Sequence, residues 1–310
     1  MALQSRPANR FARIATTLLL AAVAVGATAD RDALASAPVE VARILTDSLF
    51  GRSGKLRARL LAPSRPLAIA TLQRLFGDST EVAAPGIRTV HDSAAGRSLD
   101  FITLLPFHAK ADGLLGSYRM GFWPGEKRPI RSAAYANPDG FIRITAENQD
   151  TWVSEHFRLR DFLTHDQQHV WPKYLVLREE LVDKLELVIG ELESRGVAVR
   201  HMTVMSGFRT PQYNQRGVGK KGGRASDSRH QYGDAADVFV DNDRNGRLDD
   251  LNRDGRVTTA DVAIMVAAVE RVEARFPELM GGAGVYRATR SHGPFAHIDV
   301  RGHRARWGRS

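Results

Sequence analysis

Residues 228–246, SRHQYGDAADVFVDNDRNG, combine one histidine, four aspartates and two glycines. Six residues that include Gly233 separate His230 from Asp237, a spacing that suits a turn placing a loop histidine beside a strand aspartate. His297 lies in a later β-rich segment. Two imidazoles and one carboxylate form a set suited to zinc, with a fourth position left for water as in catalytic zinc sites.

A second candidate metal site follows at residues 241–261, DNDRNGRLDDLNRDGRVTTAD. EF-hand calcium loops take ligands at positions 1, 3, 5, 9 and 12, a backbone carbonyl at 7 and glycine at 6. A frame that matches this pattern has Asp250, Asn252, Asp254, the carbonyl of Arg256, Thr258 and Asp261 as ligands, with Gly255 at the turn. An earlier frame offers Asp241, Asp243, Asn245 and Asp249, with Gly246 at the turn and Asn252 at position 12.

The two frames share residues 250–252, so we predict one well-formed Ca²⁺ site, in the later frame. The alternative is a polar turn in which Thr258 and Asp261 only form a capping box for the next helix. Oxygen-rich loops suit a hard cation, whereas the His230 and Asp237 pair suits zinc, so the sequence predicts two kinds of metal.

Regular elements should position these groups. Apolar residues recur every three or four positions over 177–195 before Gly196, which predicts a helix, and a second helix is expected over 259–275. Residues 197–206, 235–240 and 295–301 read as strands. In the last of these, His297 and Asp299 share one face. The fold class predicted from this mixture is α+β.

The chain has 310 residues, enough for two domains. Residues 38–140 carry short alternating runs such as 99–105 and 118–123 and are predicted to form a small β-rich N-terminal domain of unknown role. Residues 154–310 are predicted to form the zinc domain, with the calcium-binding insertion at 241–261.

Residues 1–29 have arginines before an apolar run and end in small residues, which predicts a signal peptide cleaved after Ala29, an uncleaved anchor being the alternative. No other membrane span is expected. Removing the three arginines lowers the formal charge from +9 to about +6 (9 − 3), which favours an anionic surface. No nucleic-acid motif is visible. With no cysteine, any metal must lie on His, Asp, Glu or backbone oxygen.

Three motifs in order, SGFRTP from Ser206, SRH with Gly233 and Ala236-Asp237, and FAHIDV from Phe295, resemble the zinc D-Ala-D-Ala carboxypeptidase and murein endopeptidase family. That family shares its fold with lysostaphin and the hedgehog signalling domain. Residues 281–286 (GGAGVY) and the ending FAHIDVRGHRARWG are similar to its periplasmic murein endopeptidase branch, and the later calcium frame also resembles dockerin loops.

The resemblance covers residues 154–310. It implies zinc on His230, Asp237 and His297, with Arg209 near the substrate and His292 beside the reacting bond. It also implies hydrolysis of peptidoglycan peptides in the periplasm or outside the cell.

The chain departs from the family pattern at Pro294, where the carboxypeptidase branch carries an acidic general base. Asp299, Asp234 and His292 are the candidate replacements. The alternatives are a zinc- and calcium-containing wall-binding module without turnover and a calcium-dependent adhesion protein. Which bond is cut and the oligomeric state stay open.

Overall fold

The computed structural model of the protein describes residues 48–62, 84–92, 97–220 and 224–308. The predicted signal peptide, residues 1–29, lies outside the described residues. Within the described ranges, no helix is both long and apolar enough to cross a membrane.

The described part of the first 175 residues forms short strands in three small sheets. The strands are β1 (Ala58–Leu61), β2 (Gly86–Asp92), β3 (Arg97–Thr103), β4 (Leu105–Pro106), β5 (Leu114–Leu115), β6 (Tyr118–Arg119), β7 (Gly140–Ile144) and β8 (Lys173–Leu175). The orders are β1-β3-β2, β4-β7-β8 and the β5-β6 pair. The run predicted as strand at 99–105 is divided at Leu104 between β3 and β4, and the run 118–123 is extended only in β6. Gly121 ends it, with φ +79° and close packing against Gln212.

A five-stranded sheet forms the centre of the C-terminal half, in the order β13-β11-β12-β10-β9. Its strands are β9 (Met202–Ser206), β10 (Ala235–Val240), β11 (Gly282–Tyr286), β12 (Phe295–Asp299) and β13 (Ala305–Trp307). All pairs are antiparallel except β11 with β13. The strand predicted at 235–240 is confirmed, and the one predicted at 295–301 ends at Asp299.

Two long helices pack on this sheet. They are α1 (Glu179–Glu193) and α3 (Thr259–Arg275), and a short helix, α2 (Pro211–Gln215), lies between them in the chain. The helices predicted at 177–195 and 259–275 are confirmed. Helix α3 packs against both α1 and strands β11 and β12. A mainly antiparallel sheet with its long helices gathered on it is an α+β arrangement, as predicted.

The buried Lys184 joins the helices to the sheet. Its Nζ donates to Glu273 Oε1 on α3 and to the carbonyl oxygen of Asp299 on β12, each at 2.7 Å. An unpaired charge at this depth would be costly. The two hydrogen bonds therefore fix the position of α1 relative to α3 and β12.

One large cluster of buried hydrophobic residues has members from Leu56 to Val300, and a smaller cluster contains Phe50, Leu61, Leu99 and Phe101. Trp123 Nε1 donates to the Gln231 carbonyl at 2.8 Å, and the Arg229 Nη1 donates to the Ala134 carbonyl at 2.7 Å. Part of the predicted N-terminal unit, 38–140, therefore packs around the turn that carries His230. The division into domains at 38–140 and 154–310 stays a prediction.

Candidate metal centre

The register of the central sheet aligns one row of residues across its five strands. Ser206 pairs with Asp237, Asp237 with His297, His297 with Gly284, and Gly284 with Trp307. The β9–β10 register shifts between Asp237 and Val238, an irregularity of the kind that redirects side chains at sheet edges and active sites. Two predicted zinc ligands are thus direct cross-strand neighbours.

The third ligand, His230, reaches this row from a tight turn. Residues Arg229–Tyr232 form one turn of 3-10 helix, which ends at Gly233 in the left-handed conformation with φ +66°. A Cβ at Gly233 would collide with the Val176 carbonyl. Only glycine tolerates both the positive φ and the close approach of the Val176 carbonyl. The tight turn that results places His230 beside the start of β10.

The three ligand atoms form a compact triangle. His230 Nε2 lies 3.3 Å from Asp237 Oδ1 and 3.3 Å from His297 Nδ1, and His297 Nδ1 lies 2.9 Å from Asp237 Oδ1. Tetrahedral zinc with bonds of about 2.0 Å separates its ligand atoms by about 3.3 Å. His230 is 2% exposed, Asp237 is 5% exposed and His297 is 6% exposed. Their donor types and spacing fit zinc.

The outer nitrogen of each imidazole is held by an oxygen. His230 Nδ1 donates to the Gly207 carbonyl at 2.7 Å, and His297 Nε2 donates to Asp299 Oδ2 at 3.0 Å. Without a metal, His297 Nδ1 donates to Asp237 Oδ1. With a metal bound, the two outer hydrogen bonds would fix the tautomers in which His230 Nε2 and His297 Nδ1 offer lone pairs to the ion. Such outer hydrogen bonds are characteristic of metal-binding histidines.

Burial and charge set the protonation of the cluster. Burial lowers the pKa of His230. Burial alone would raise the pKa of Asp237, but the charges and hydrogen bonds of the two imidazoles hold it well below its usual range. Burial lowers the pKa of His297, yet its hydrogen bonds to Asp237 and Asp299 raise it to about 9. A metal ion competes with this proton, so the cluster should bind metal more tightly as pH rises.

Arg209 lies behind the aspartate ligand. Its Nη2 donates to Asp237 Oδ2 at 2.6 Å and its Nε to Ser206 Oγ at 2.9 Å. The guanidinium thus fixes the carboxylate oxygen that does not face the imidazoles. Its predicted contact with substrate stays a prediction, for which Nη1 is the remaining donor group.

Two of the three candidate bases are engaged elsewhere. Asp299 is fully buried and accepts from His297, Arg301 and the Gly282 backbone N–H. The carboxylate of Asp234 is paired with Arg229. Both carboxylates therefore support neighbouring groups and do not face the triangle as free bases.

The third candidate, His292, lies in the loop before β12. Its Nδ1 donates to the Gly293 carbonyl at 2.8 Å, and its ring packs edge-on against Phe295 at 5.0 Å between centroids. Phe295 shares a strand face with His297. The Nε2 of His292 has no hydrogen-bond partner among the described residues.

Two aromatic residues beside the triangle were not predicted to be functional. The Trp307 ring lies 5.1 Å from the His297 ring, and its Nε1 donates to the Tyr286 hydroxyl at 3.1 Å. A Cβ at Gly284 would collide with the indole. The sequence signal that could have indicated them is the alternating glycines of residues 282–284, GAG. Two glycines on one face of a strand leave room there for a large aromatic ring.

The two predicted calcium frames form successive loops with the same hydrogen bonds. The Asn245 N–H donates to Asp241 and Asp243, and nine residues later the Asp254 N–H donates to Asp250 and Asn252. In the earlier frame, oxygens of Asp241, Asp243 and Asp249 lie within 4.8 Å of one another. Among His, Cys, Asp and Glu groups of the described residues, only this set and the zinc triangle meet that criterion.

Asp261, predicted as the last ligand of the later frame, is fully buried. Its carboxylate accepts the backbone N–H groups of Leu251, Asn252 and Thr258. This is the capping-box alternative, with Thr258 capping α3. The Arg256 N–H donates to Asp254, and the predicted Arg256 carbonyl ligand stays a prediction.

Residues 163–270 match the model of the family described as Peptidase M15. The match includes Arg209, His230 and Asp237 and ends before His297, which the sheet register brings to the same site. No curated protein and no solved structure matches the chain. The matched stretch is therefore similar to Peptidase M15 domains, and it contains two of the three residues of the His-Asp-His triangle.

Proposed function

We propose that this protein is a zinc metallopeptidase that hydrolyses peptide bonds in peptidoglycan, as a cross-link endopeptidase or a carboxypeptidase. The observation that carries the proposal is the buried triangle of His230, Asp237 and His297, whose ligand-atom separations of 2.9 to 3.3 Å suit tetrahedral zinc. The Peptidase M15 match supports the substrate class. The resemblance of the motifs to murein peptidases, with their hedgehog-like fold, supports it further.

The triangle leaves one tetrahedral position open, as a catalytic site requires. When bound, zinc polarises the scissile carbonyl and makes water acidic enough to attack near neutral pH. The protein contributes the rest. Gly207 and Asp299 orient the two imidazoles, and Arg209 holds Asp237 through Nη2. Arg209 Nη1 makes no hydrogen bond to the described residues and is the group we assign to a substrate oxygen.

His292 is the residue we assign to proton transfer. Pro294 occupies the place of the family's acidic base, and Asp299 and Asp234 are paired with arginines. The Nε2 of His292 makes no hydrogen bond to the described residues, and the His292 ring packs against Phe295, which shares a strand face with His297. An imidazole with a free nitrogen can take the proton of the attacking water and pass it to the leaving amine.

The rival function is a wall-binding module without turnover, which the missing acidic base at Pro294 favours. Purified sacculi should be incubated with the zinc-loaded protein and with a His230→Ala variant, and the released muropeptides identified by mass spectrometry. The peptidase should produce new peptide ends that the variant does not. Binding to sacculi without new ends would establish the rival.

We further propose that the loops at residues 241–261 bind Ca²⁺ as a structural brace. They begin four residues after Asp237 and lead into α3, so an ion there would stabilise the segment between the metal strand and the helix that packs behind it. Binding of the protein to walls that EDTA abolishes, without any cleavage, would instead support the adhesion alternative.

Export to the periplasm or the cell exterior is the expected location for this substrate. The basic and apolar pattern of residues 1–29 supports it. Intact mass of the protein recovered from cell fractions tests it: an exported chain that begins at Asp30 is expected, and a full-length chain in the cytoplasm would contradict export.

A further inference from the structure

Three aromatic rings form a wall along the sheet face that carries the metal triangle. Trp307 lies against His297, and Tyr286 stacks on Phe295 at 4.6 Å with an interplanar angle of 6°. In the strand register, Gly284 lies beside His297, and Tyr286 is two residues further along the same face of β11. The wall therefore borders the triangle at the side of His297.

The wall holds one polar group in a defined direction. Trp307 Nε1 can only donate, so the Tyr286 oxygen is the acceptor of their 3.1 Å hydrogen bond. The hydroxyl proton of Tyr286 must then point away from the indole, and none of the described residues accepts it. Tyr286 is 39% exposed, so a ligand can reach this residue from solvent.

The wall also rigidifies the donor. Stacking on the buried Phe295 and the hydrogen bond from Trp307 restrain the Tyr286 ring from two sides. The absent Cβ of Gly284 makes room for the indole between strand and ring. Burial raises the pKa of Tyr286, and the charges of Asp237 and Arg209 both act on it, which agrees with a neutral hydroxyl close to the triangle. A neutral phenol in this position is a donor rather than a base.

We infer that Tyr286 is a catalytic residue whose hydroxyl donates a hydrogen bond to the carbonyl oxygen of the scissile amide as negative charge develops there, with Trp307 as its positioning residue. This inference rests on the proposed peptidase function. As water adds to the carbonyl carbon, the carbonyl π electrons move to oxygen, and the Tyr286 proton remains on the phenol throughout. A donor aimed at that oxygen in advance stabilises the transition state more than the ground state.

The test compares Tyr286→Phe with wild type in zinc content, cleavage of a purified cross-linked muropeptide, and binding of a phosphinate isostere of the substrate amide. Loss of one oxyanion donor should lower kcat by about 100-fold with little change in KM or zinc content. Phosphinate affinity should fall by about 10-fold or more, because a hydrogen bond to a charged oxygen is lost.

Two variants control for structure. Tyr118→Phe removes a buried hydroxyl that has no hydrogen-bond partner among the described residues, and should behave as wild type. Trp307→Phe keeps a ring against His297 but removes the indole N–H, so it should retain zinc and lose kcat by about 10-fold, since it removes only one hydrogen bond.

The outcomes separate the two proposals. If wild type cleaves nothing, the peptidase function is overturned together with the inference that rests on it, whereas cleavage by wild type with equal kcat in Tyr286→Phe overturns the inference alone. Equal phosphinate affinity in wild type and Tyr286→Phe, with equal zinc content, would overturn the inference. Loss of zinc in Tyr286→Phe would also overturn it, since the residue would then act on the metal site's structure.

Discussion

At the scale of single residues, the two buried imidazoles differ in what holds their outer nitrogens. His230 donates to the neutral carbonyl of Gly207, whereas His297 donates to the carboxylate of Asp299, which Arg301 also engages. The carboxylate makes His297 the more basic ligand. Asp299 therefore belongs with metal binding and not with proton transfer from water.

Substitution Asp299→Asn should weaken zinc binding by about 10- to 100-fold, because an amide gives His297 no negative charge to donate to. Competition with a chelator of known affinity measures this. If Asp299 were instead the general base, its loss would lower turnover and leave zinc affinity unchanged. Wild-type affinity in Asp299→Asn would remove this residue from the metal site's support.

Substitution His292→Ala should have the opposite pattern, with zinc retained and muropeptide cleavage reduced by about 100-fold or more, the usual range for a lost acid or base. His292 is not one of the residues whose ligand atoms form the triangle, so zinc content should match wild type. Full turnover in this variant would mean that another group moves the proton.

At the scale of elements, the two loops between β10 and α3 have the hydrogen bonds of polar turns and the ligand spacing of calcium loops. Both loops satisfy backbone N–H groups with their own carboxylates, Asp241 in the first and Asp250 in the second. These hydrogen bonds are sufficient to hold a polar turn without an ion. A calcium site would draw the same oxygens onto an ion.

If the loops bind Ca²⁺, wild type should melt at a higher temperature in calcium than in EGTA, because a ligand of the folded state stabilises by mass action. Asp250→Ala and Asp241→Ala, measured separately, show which frame holds the ion by abolishing that difference. Arg256→Ala is the matched control, since it keeps the backbone carbonyl. Identical melting of wild type in both buffers would leave the segment as a turn.

At the scale of the whole molecule, a histidine–glutamate pair joins the segment before β8 to helix α1. His156 Nδ1 donates to the buried Glu186 Oε2 at 2.7 Å, and the His156 backbone N–H donates to Oε1 at 2.8 Å. The hydrogen bond that His156 donates to Glu186 raises the pKa of His156, against the opposing effect of burial. The pair links the two halves of the core.

This pKa shift predicts the sign of a pH effect. Because the folded-state pKa lies above the ordinary value of 6.5, the charged pair stabilises fully below about pH 6.5, and this stabilisation is lost as pH rises through the folded-state pKa. The melting temperature of wild type relative to His156→Gln should therefore be highest in mildly acidic buffer and should decline toward alkaline pH. A difference that is constant with pH would contradict the assignment.

The sequence by itself determined the local elements and the ligand chemistry of this protein. Helices at 179–193 and 259–275 and the strand at 235–240 follow from apolar periodicity and β-branched composition, which act over a few residues. The types and order of His230, Asp237 and His297 were also legible, because few residue types suit zinc and Gly233 marks the turn between the first two.

Only the tertiary structure decided how those groups work together. Which nitrogen of each histidine faces Asp237 depends on Gly207 and Asp299, and the aromatic wall exists because the strand register places Trp307 over Gly284. The same packing joined part of the 38–140 region to the turn of His230. Register and packing are set by burying apolar surface between segments far apart in the chain, and no short pattern of residues records that.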